Sequence, residues 1–448
     1  MPMLQSQFYP FVQWLIDEWF IWQEWLEEAP WQTLGEWLSW FVFYYPLLMT
    51  YVWMIGGILY FLRWEWRDNI FAGIPPALSE YPPVSILIPC FNEGENARET
   101  IEQLLQQDYP HYEIIAINDG SKDNTLAILE ELAQQYGKVR VVNLASNQGK
   151  AMALRTAALL ANSEFLVCID GDALLDSQAV TWMMRHFIGH PHVGAVTGNP
   201  RIRNRSTLLG RIQVGEFSAI VGMIKRAQRT YGRIFTISGV IGAFRRSALH
   251  DVGYWSPDMI TEDIDISWKL QLAGWNIHFE TNALCWVLMP ETLGGLWKQR
   301  SRWAQGGVEV LGRYFSHLFT RNALRLWPLY LECSISLLWS FIVVLLIVAA
   351  AFQLLLGSPQ QTLDDFSPHW TSMLLCITCL FQFAVSLAID ARYEQRAGQK
   401  YYYWMIWYPM VYWLINIGTA VNGFVKAVRK KRGQRAVWVT VDRGIKGQ

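Results

Sequence analysis

From Trp37 to Leu62 the chain carries no charged side chain. A helix needs about 20 predominantly apolar residues to cross a bilayer, so this run is long enough to do so. Trp327–Leu356, with Glu332 near its start, and Trp370–Ile389 follow the same rule. Part of the chain is therefore built for lipid. Hydrophobic residues make up 52% of the 448 and charged residues 17%, a mixture that fits a water-soluble domain fused to membrane segments. Glu36 precedes the first run, and Arg63 and Arg67 follow it. Basic residues favour the cytosolic side, which puts the N-terminus outside and the following domain in the cytosol.

The flanking segments are less regular. Residues 8–28 read as a helix with Phe8, Val12, Leu15, Trp19, Trp22 and Leu26 on one face and Gln13, Asp17, Glu24 and Glu28 on the other. Asp17 and Glu18 at mid-segment make a crossing expensive, so this helix is expected to lie in the membrane surface. No Lys or Arg precedes Arg63, so the basic region of a cleavable signal peptide is missing. A further apolar run, Tyr401–Val425, contains Pro409 and has basic residues on both sides. It either spans, with an external tail, or re-enters and returns; the cytosolic tail is preferred. The expected organisation is an interfacial and a transmembrane helix over 1–67 and a Pro-rich linker over 68–83. A soluble domain over 84–323, membrane helices over 324–425 and a basic tail over 426–448 complete it.

From Val84 the texture changes. Strands are expected at Val84–Ile88, Glu113–Ile117, Val139–Asn143 and Phe165–Ile169, with helices at about 96–107, 123–136 and 149–161 between them. This is the βαβ rhythm of a mostly parallel α/β sheet. Ligands bind such a sheet at the carboxyl ends of its strands, so the residues just past each strand carry the functional reading. Past the first stand Pro89-Cys90-Phe91-Asn92-Glu93, past the second Asn118-Asp119-Gly120-Ser121, and past the fourth Asp170-Gly171-Asp172. No Gly-rich phosphate cradle is among them. Asp170 and Asp172 read either as an acidic turn or as oxygen ligands that hold Mg²⁺ or Mn²⁺ against a phosphate. Asp119 reads either as turn chemistry or as acceptor for the imide N–H of a uracil. Lys150 reads as a solvated helix-start lysine or as a contact to a diphosphate. Thr261-Glu262-Asp263 opens a helix: Thr261 is a candidate N-cap, and the two acids either complement the helix dipole or include a general base. Gln299, Arg302 and Trp303 lie on a helix just before the second apolar run. They read as interfacial anchors, or as an Arg for a leaving diphosphate beside a Trp that can stack on a sugar.

In this order and on this rhythm, the motifs resemble the processive family 2 glycosyltransferases with a GT-A fold, which include cellulose, chitin and hyaluronan synthases. The resemblance covers about residues 84–310. It implies that Asp119 holds uridine and that Asp170 and Asp172 hold the nucleotide and its metal. It makes Asp263 the partner of the acceptor hydroxyl, with Glu262 beside it. Gln299, Arg302 and Trp303 then hold the diphosphate and the growing end. Val193–Arg203, Asp258–Leu270, Met289–Arg300 and Trp438–Gly444 look like the branch of that family that joins N-acetylglucosamine through β-1,6 bonds in bacterial biofilms. That likeness implies UDP-GlcNAc as donor, a growing polysaccharide as acceptor, and a bacterial inner membrane as location. It also implies a small membrane partner, with cyclic di-GMP acting on the pair. Alternatives are another processive synthase, a lipid-carrier transferase, or a transporter or receptor with a degenerate nucleotide-binding domain. The net charge of −1 gives no pull toward nucleic acid. Of the six cysteines, the three in the soluble part, Cys90, Cys168 and Cys285, are scattered, as a reducing cytosol allows. Cys376 and Cys379 are expected to pack on one helix face, and His190-Pro191-His192 to form a loop.

Overall fold

The computed structural model describes Gln13 and residues 31–66, 73–356, 370–393, 403–405, 408, 412–431 and 433–438. The expected surface helix at 8–28, Gln13 apart, lies outside the described residues, as do Asp364, Asp365 and residues 439–448. The chain divides into two compact units, Met1–Leu48 with Ile342–Leu375, and Met49–Phe341 with Cys376–Gln448. In the first, the ring of Trp370 meets Phe43 edge-on at 6.4 Å. The second holds the sheet and the crevice at its strand ends.

The first described helix, α1 (Trp31–Tyr60), continues into a π-helical turn over Phe61–Glu65. Then β1 (Val84–Cys90), α2 (Glu95–Leu104), β2 (Tyr112–Asp119), α3 (Thr125–Gln135), β3 (Val139–Leu144), α4 (Lys150–Leu160) and β4 (Phe165–Ile169) alternate as the periodicity predicts. Next come β5 (Leu174–Leu175), α5 (Ala179–Met184), β6 (Val193–Ile202), α6 (Leu208–Glu216), a π-helical stretch over Phe217–Gly222, α7 (Met223–Thr230), β7 (Ile241–Arg245), α8 (Arg246–Asp251), α9 (Glu262–Leu272) and β8 (Asn276–Val287). The chain continues through α10 (Leu293–Tyr314), α11 (Trp327–Leu356), α12 (Trp370–Asp390) and α13 (Trp413–Arg429).

The eight strands form one sheet in the order β3-β2-β1-β4-β7-β6-β8-β5. The pairs β1·β2, β1·β4, β2·β3 and β6·β8 are parallel; β7 runs antiparallel to both β4 and β6. Every residue of β1 is buried, as a central strand covered on both faces requires. Ile86 and Ile88 pack with Ile101, Leu104 and Leu129 on one side of the sheet. Leu87 points the other way, into Ala153, Leu154 and Ala157 of α4.

Three helices are long and apolar enough to cross a membrane among the described residues: Leu34–Glu65, Ala323–Leu355 and Trp370–Asp390. The Tyr401–Val425 run is not among them. Its described helix, α13, lies along α10, with Asn422 Nδ2 donating to Ser301 Oγ at 2.8 Å.

Where α1 and α12 end, a buried charge network joins them to the sheet domain. Glu65 meets Arg226 at 2.7 Å and Arg392 at 3.0 Å. Asp390 meets Arg226 at 2.8 Å and Arg201 at 2.9 Å. Ser218 donates to Asp390, and Tyr393 to Glu65. Taking one member out leaves the others charged, buried and unpaired, which costs about 3–5 kcal/mol. Arg226→Met is therefore expected to lower the unfolding midpoint of the detergent-solubilised protein sharply. Arg98→Ala, which breaks the exposed pair with Glu131, is expected to cost under about 1 kcal/mol. Chemical denaturation of both variants measures the difference.

Candidate active site

The carboxyl ends of β1, β2 and β4 lie side by side because these strands are parallel neighbours. A parallel sheet gathers the loops that leave its strands into one crevice. Asp119, the last residue of β2, is fully buried. Its Oδ1 accepts the backbone N–H of Gln148 at 2.8 Å, and its Oδ2 that of Gly149 at 2.9 Å. Burial raises its pKa, and these backbone bonds oppose the rise. The side chain thereby pins the 147–149 loop, and with it the start of α4, whose first residue is Lys150.

Lys150 reaches back across the strand ends. Its Nζ stands 2.6 Å from Asp170 Oδ1 and 3.1 Å from Glu262 Oε1, and donates to the Gly239 carbonyl at 3.0 Å. Burial disfavours the ammonium, but Asp170 and Glu262 outweigh it and hold the pKa above the ordinary lysine value. The lysine thus joins the end of β4 to the start of α9. Beside Glu262, burial first and the Glu262 charge second push Asp263 up to about 6; Lys150 and Arg302 pull it down. Asp263 Oδ1 accepts the Ile264 N–H at 2.9 Å. A Cβ on Gly239 would stand 2.8 Å from Asp263 Oδ2 and 3.4 Å from Lys150 Nζ. A residue without a side chain lets the backbone come this close. The acids therefore do more than complement the helix dipole. Thr261 occupies the N-cap position, yet its hydroxyl makes no cap bond and turns instead toward Gly306 of α10.

Asp172 lies two residues beyond Asp170. Burial, then the charges of Asp170 and Asp172, raise the thiol of Cys285 well above its usual value. The donor set suits a hard divalent cation. Carboxylate oxygens converge where an ammonium already stands, so the pocket is one for positive charge. No group of three or more His, Cys, Asp or Glu forms a metal cage among the described residues. Asp170 and Asp172 would thus supply only part of a shell, and Mg²⁺ typically takes the rest from water and substrate phosphates.

On α10, Gln299 is buried with its Oε1 lacking a hydrogen-bond partner, and Arg302 Nε is likewise buried and unpartnered. Arg302 makes no ion pair among the described residues. Buried polar groups are rarely left unpaired in a finished core, and both atoms suit a ligand. Trp303 is partly buried; the guanidinium of Arg300 sits 4.2 Å from its ring centroid and covers one face.

Other parts of the site were not foreseen from the sequence. Residues 433–438 cross the 147–149 loop: Arg435 donates to Gln148 Oε1 at 2.8 Å and Asn147 Nδ2 to the Trp438 carbonyl at 2.9 Å. Gly149, at φ +88°, lies so close that a Cβ there would clash with the Ala436 carbonyl. Lys225 is buried, donates to Thr197 Oγ1 at 3.2 Å, and is pushed down to about 8 by burial against the pull of Asp263. A glycine just ahead of a helix start was the available signal for the loop; Lys225, among the polar residues of α7, offered none.

This fold and this crevice of acids are those of a sugar-nucleotide transferase, and the chain belongs to the glycosyltransferases of family 2: the profile described as "Glycosyltransferase like family 2" matches residues 82–306. Over nearly its whole length it resembles the poly-β-1,6-N-acetyl-D-glucosamine synthases. That of Staphylococcus epidermidis is 42% identical over 405 residues, 90% of this chain and 98% of the relative. That of Staphylococcus aureus strain COL is 41% identical over 407 residues, again 90% and 98%. Among solved structures, a mannosyltransferase from Pyrobaculum calidifontis in complex with GDP-Man and Mn²⁺ shares the fold, with TM-score 0.56 and 20% identity over 87% of this chain and 99% of that one.

The tightness at Gly239 gives a direct test. Gly239→Ala is expected to displace Asp263 and Lys150 and lower sugar transfer about 100-fold, the effect of a misplacement near 1 Å. The unfolding midpoint is expected to change little. Transfer rate and melting curve on the same preparation measure both.

Proposed function

We propose that this enzyme polymerises N-acetylglucosamine from UDP-GlcNAc into β-1,6-linked chains and passes them across a bacterial inner membrane, with the sheet domain in the cytosol. The observation that carries the reading is the meeting of Asp170, Glu262 and Asp263 around Lys150 at the strand ends. The names of the relatives supply the sugar and the linkage. Positive-inside logic supplies the orientation.

The reaction is a single displacement. Asp263 accepts the proton of the acceptor's 6-hydroxyl as that oxygen attacks the anomeric carbon. The bond from that carbon to the UDP oxygen breaks, and α becomes β without a covalent intermediate. Lys150 and Arg302 face the charge that builds on the departing diphosphate. Asp170 and Asp172 would hold a divalent ion, which would supply Lewis-acid neutralisation of that diphosphate. Asp119 holds the uridine by accepting its imide N–H, and it also fixes the adjacent 147–149 loop. Gln299 and Trp303 hold the growing end. A hexose polymer cannot cross hydrocarbon with its hydroxyls unpaired, so α11 and α12 are assigned to the exit path. A small membrane partner, with cyclic di-GMP acting on the pair, belongs to the same proposal and is supported by the family resemblance.

The experiment is to give purified membranes a panel of labelled UDP-sugars and analyse the linkage of the product. A β-1,6 polymer from UDP-GlcNAc, abolished by EDTA and restored by Mg²⁺ or Mn²⁺, is expected. A different sugar or linkage, or single-residue transfer to a lipid, overturns the reading. Asp263→Asn is expected to keep the fold and lose about 10²–10⁴-fold in rate, as loss of a general base does. Asp263 accepts a proton only when ionised, and its pKa is raised to about 6. The rate of the wild type is therefore expected to be full above that pH and to fall as the pH drops through it. A pH–rate profile between 5 and 8 checks this, the limits being roughly those within which such a base titrates.

A further inference from the structure

A cleft of about 260 Å³ lies where the apolar stretch of α1 ends, and none of the active-site residues lines it. Tyr60 and Trp64 form its aromatic side, and Arg229, Arg185, His190 and His278 its basic side. Two carboxylates also face it, but both are committed. Glu65 is held by Arg226, Arg392 and Tyr393. Glu280 is held by Arg185 at 3.1 Å, by His186 at 2.8 Å and by Asn282. Arg229 has no such partner. It pairs with no carboxylate among the described residues; its guanidinium lies 5.6 Å from the Trp64 ring centroid, on which Arg63 also lies, at 4.8 Å.

The crowding is unfavourable as it stands. Burial disfavours the charged form of Arg229, and Arg63 acts in the same direction. Arg233 is depressed by burial and then by Arg325 and Arg229. Burial, then Arg229, push His278 down to about 2, so its imidazole is neutral. Its Nδ1 lies 3.1 Å from His186 Nδ1, and the other ring nitrogen remains for a ligand. A partly buried guanidinium among like charges is relieved by an anion, and an Arg fork matches the oxygens of a phosphate. Tyr and Trp at the end of an apolar helix mark the level of lipid headgroups, where basic pockets hold anionic ones.

We propose that this cleft is a binding site for a phosphate group, with Arg229 as its principal ligand and Trp64 as the wall against which the rest of the molecule lies. The phosphate comes from an anionic lipid headgroup or from a soluble phosphate, and the test separates them. Full-length protein is stripped of lipid in a neutral detergent. It is then offered phosphatidylglycerol, phosphatidylcholine or inorganic phosphate, and retained lipid is counted by native mass spectrometry and stabilisation by thermal shift. With a lipid source, phosphatidylglycerol is retained about tenfold over phosphatidylcholine, the size expected of a lost charge-assisted contact. Arg229→Gln removes the preference, and Arg229→Lys keeps most of it. Stabilisation by inorganic phosphate, lost in Arg229→Gln and without a lipid preference, assigns the same site to a soluble ligand. A wild type that neither prefers phosphatidylglycerol nor responds to phosphate overturns the proposal, whether or not the variants fold. Responses that survive Arg229→Gln in full overturn it too.

Discussion

One ammonium group holds the centre of this enzyme together. Lys150 Nζ lies between Asp170 and Glu262, which come from opposite parts of the domain, the end of β4 and the start of α9. Without a cation the two carboxylates, with Asp263 beside them, would repel one another in a buried place where such repulsion is weakly screened. With it, they are drawn to one point and Asp263 is left short of full compensation. That imbalance, added to burial, raises its pKa into the range useful to a general base at neutral pH. In the proposed mechanism the pocket that accepts this ammonium also accepts a metal-bound diphosphate, which would make the resting and working arrangements variants of a single charge balance.

Several long-range contacts serve that balance. Asp119 fixes the loop that aims Lys150. The segment after α13 crosses the same loop, and α13 packs on the helix that carries Gln299, Arg302 and Trp303. Glu65 and Asp390 fasten the ends of α1 and α12 to the sheet domain through Arg226. Sheet, interfacial helix and membrane helix ends thus share a set of buried polar contacts.

Much of this was legible in the sequence because strand ends in a parallel sheet are forced together. Asp119, Asp170 and Asp172 could be assigned to one crevice from the βαβ rhythm, whereas the acids of α9 joined them only through the family resemblance. Local patterns could not reveal what depends on contacts between distant residues. The antiparallel β7 between β4 and β6 breaks the rhythm, since its strand bonds are made only across the sheet. Gly239 is unremarkable until the positions of Asp263 and Lys150 are known. Thr261 has the right residue type for a cap, but the packing of α10 takes its hydroxyl elsewhere. The described helix of the Tyr401–Val425 run rests on α10, a long-range contact that its local pattern does not announce.

The most direct test of the central claim is calorimetric titration of UDP into the wild type and into Lys150→Met, each with and without Mn²⁺. A single charge balance predicts that UDP binds the wild type well only with Mn²⁺. It also predicts that removing the ammonium weakens that binding at least about tenfold, a loss typical of a charged hydrogen-bonding partner. Equal affinity for UDP with and without Mn²⁺, unchanged in Lys150→Met, would contradict it.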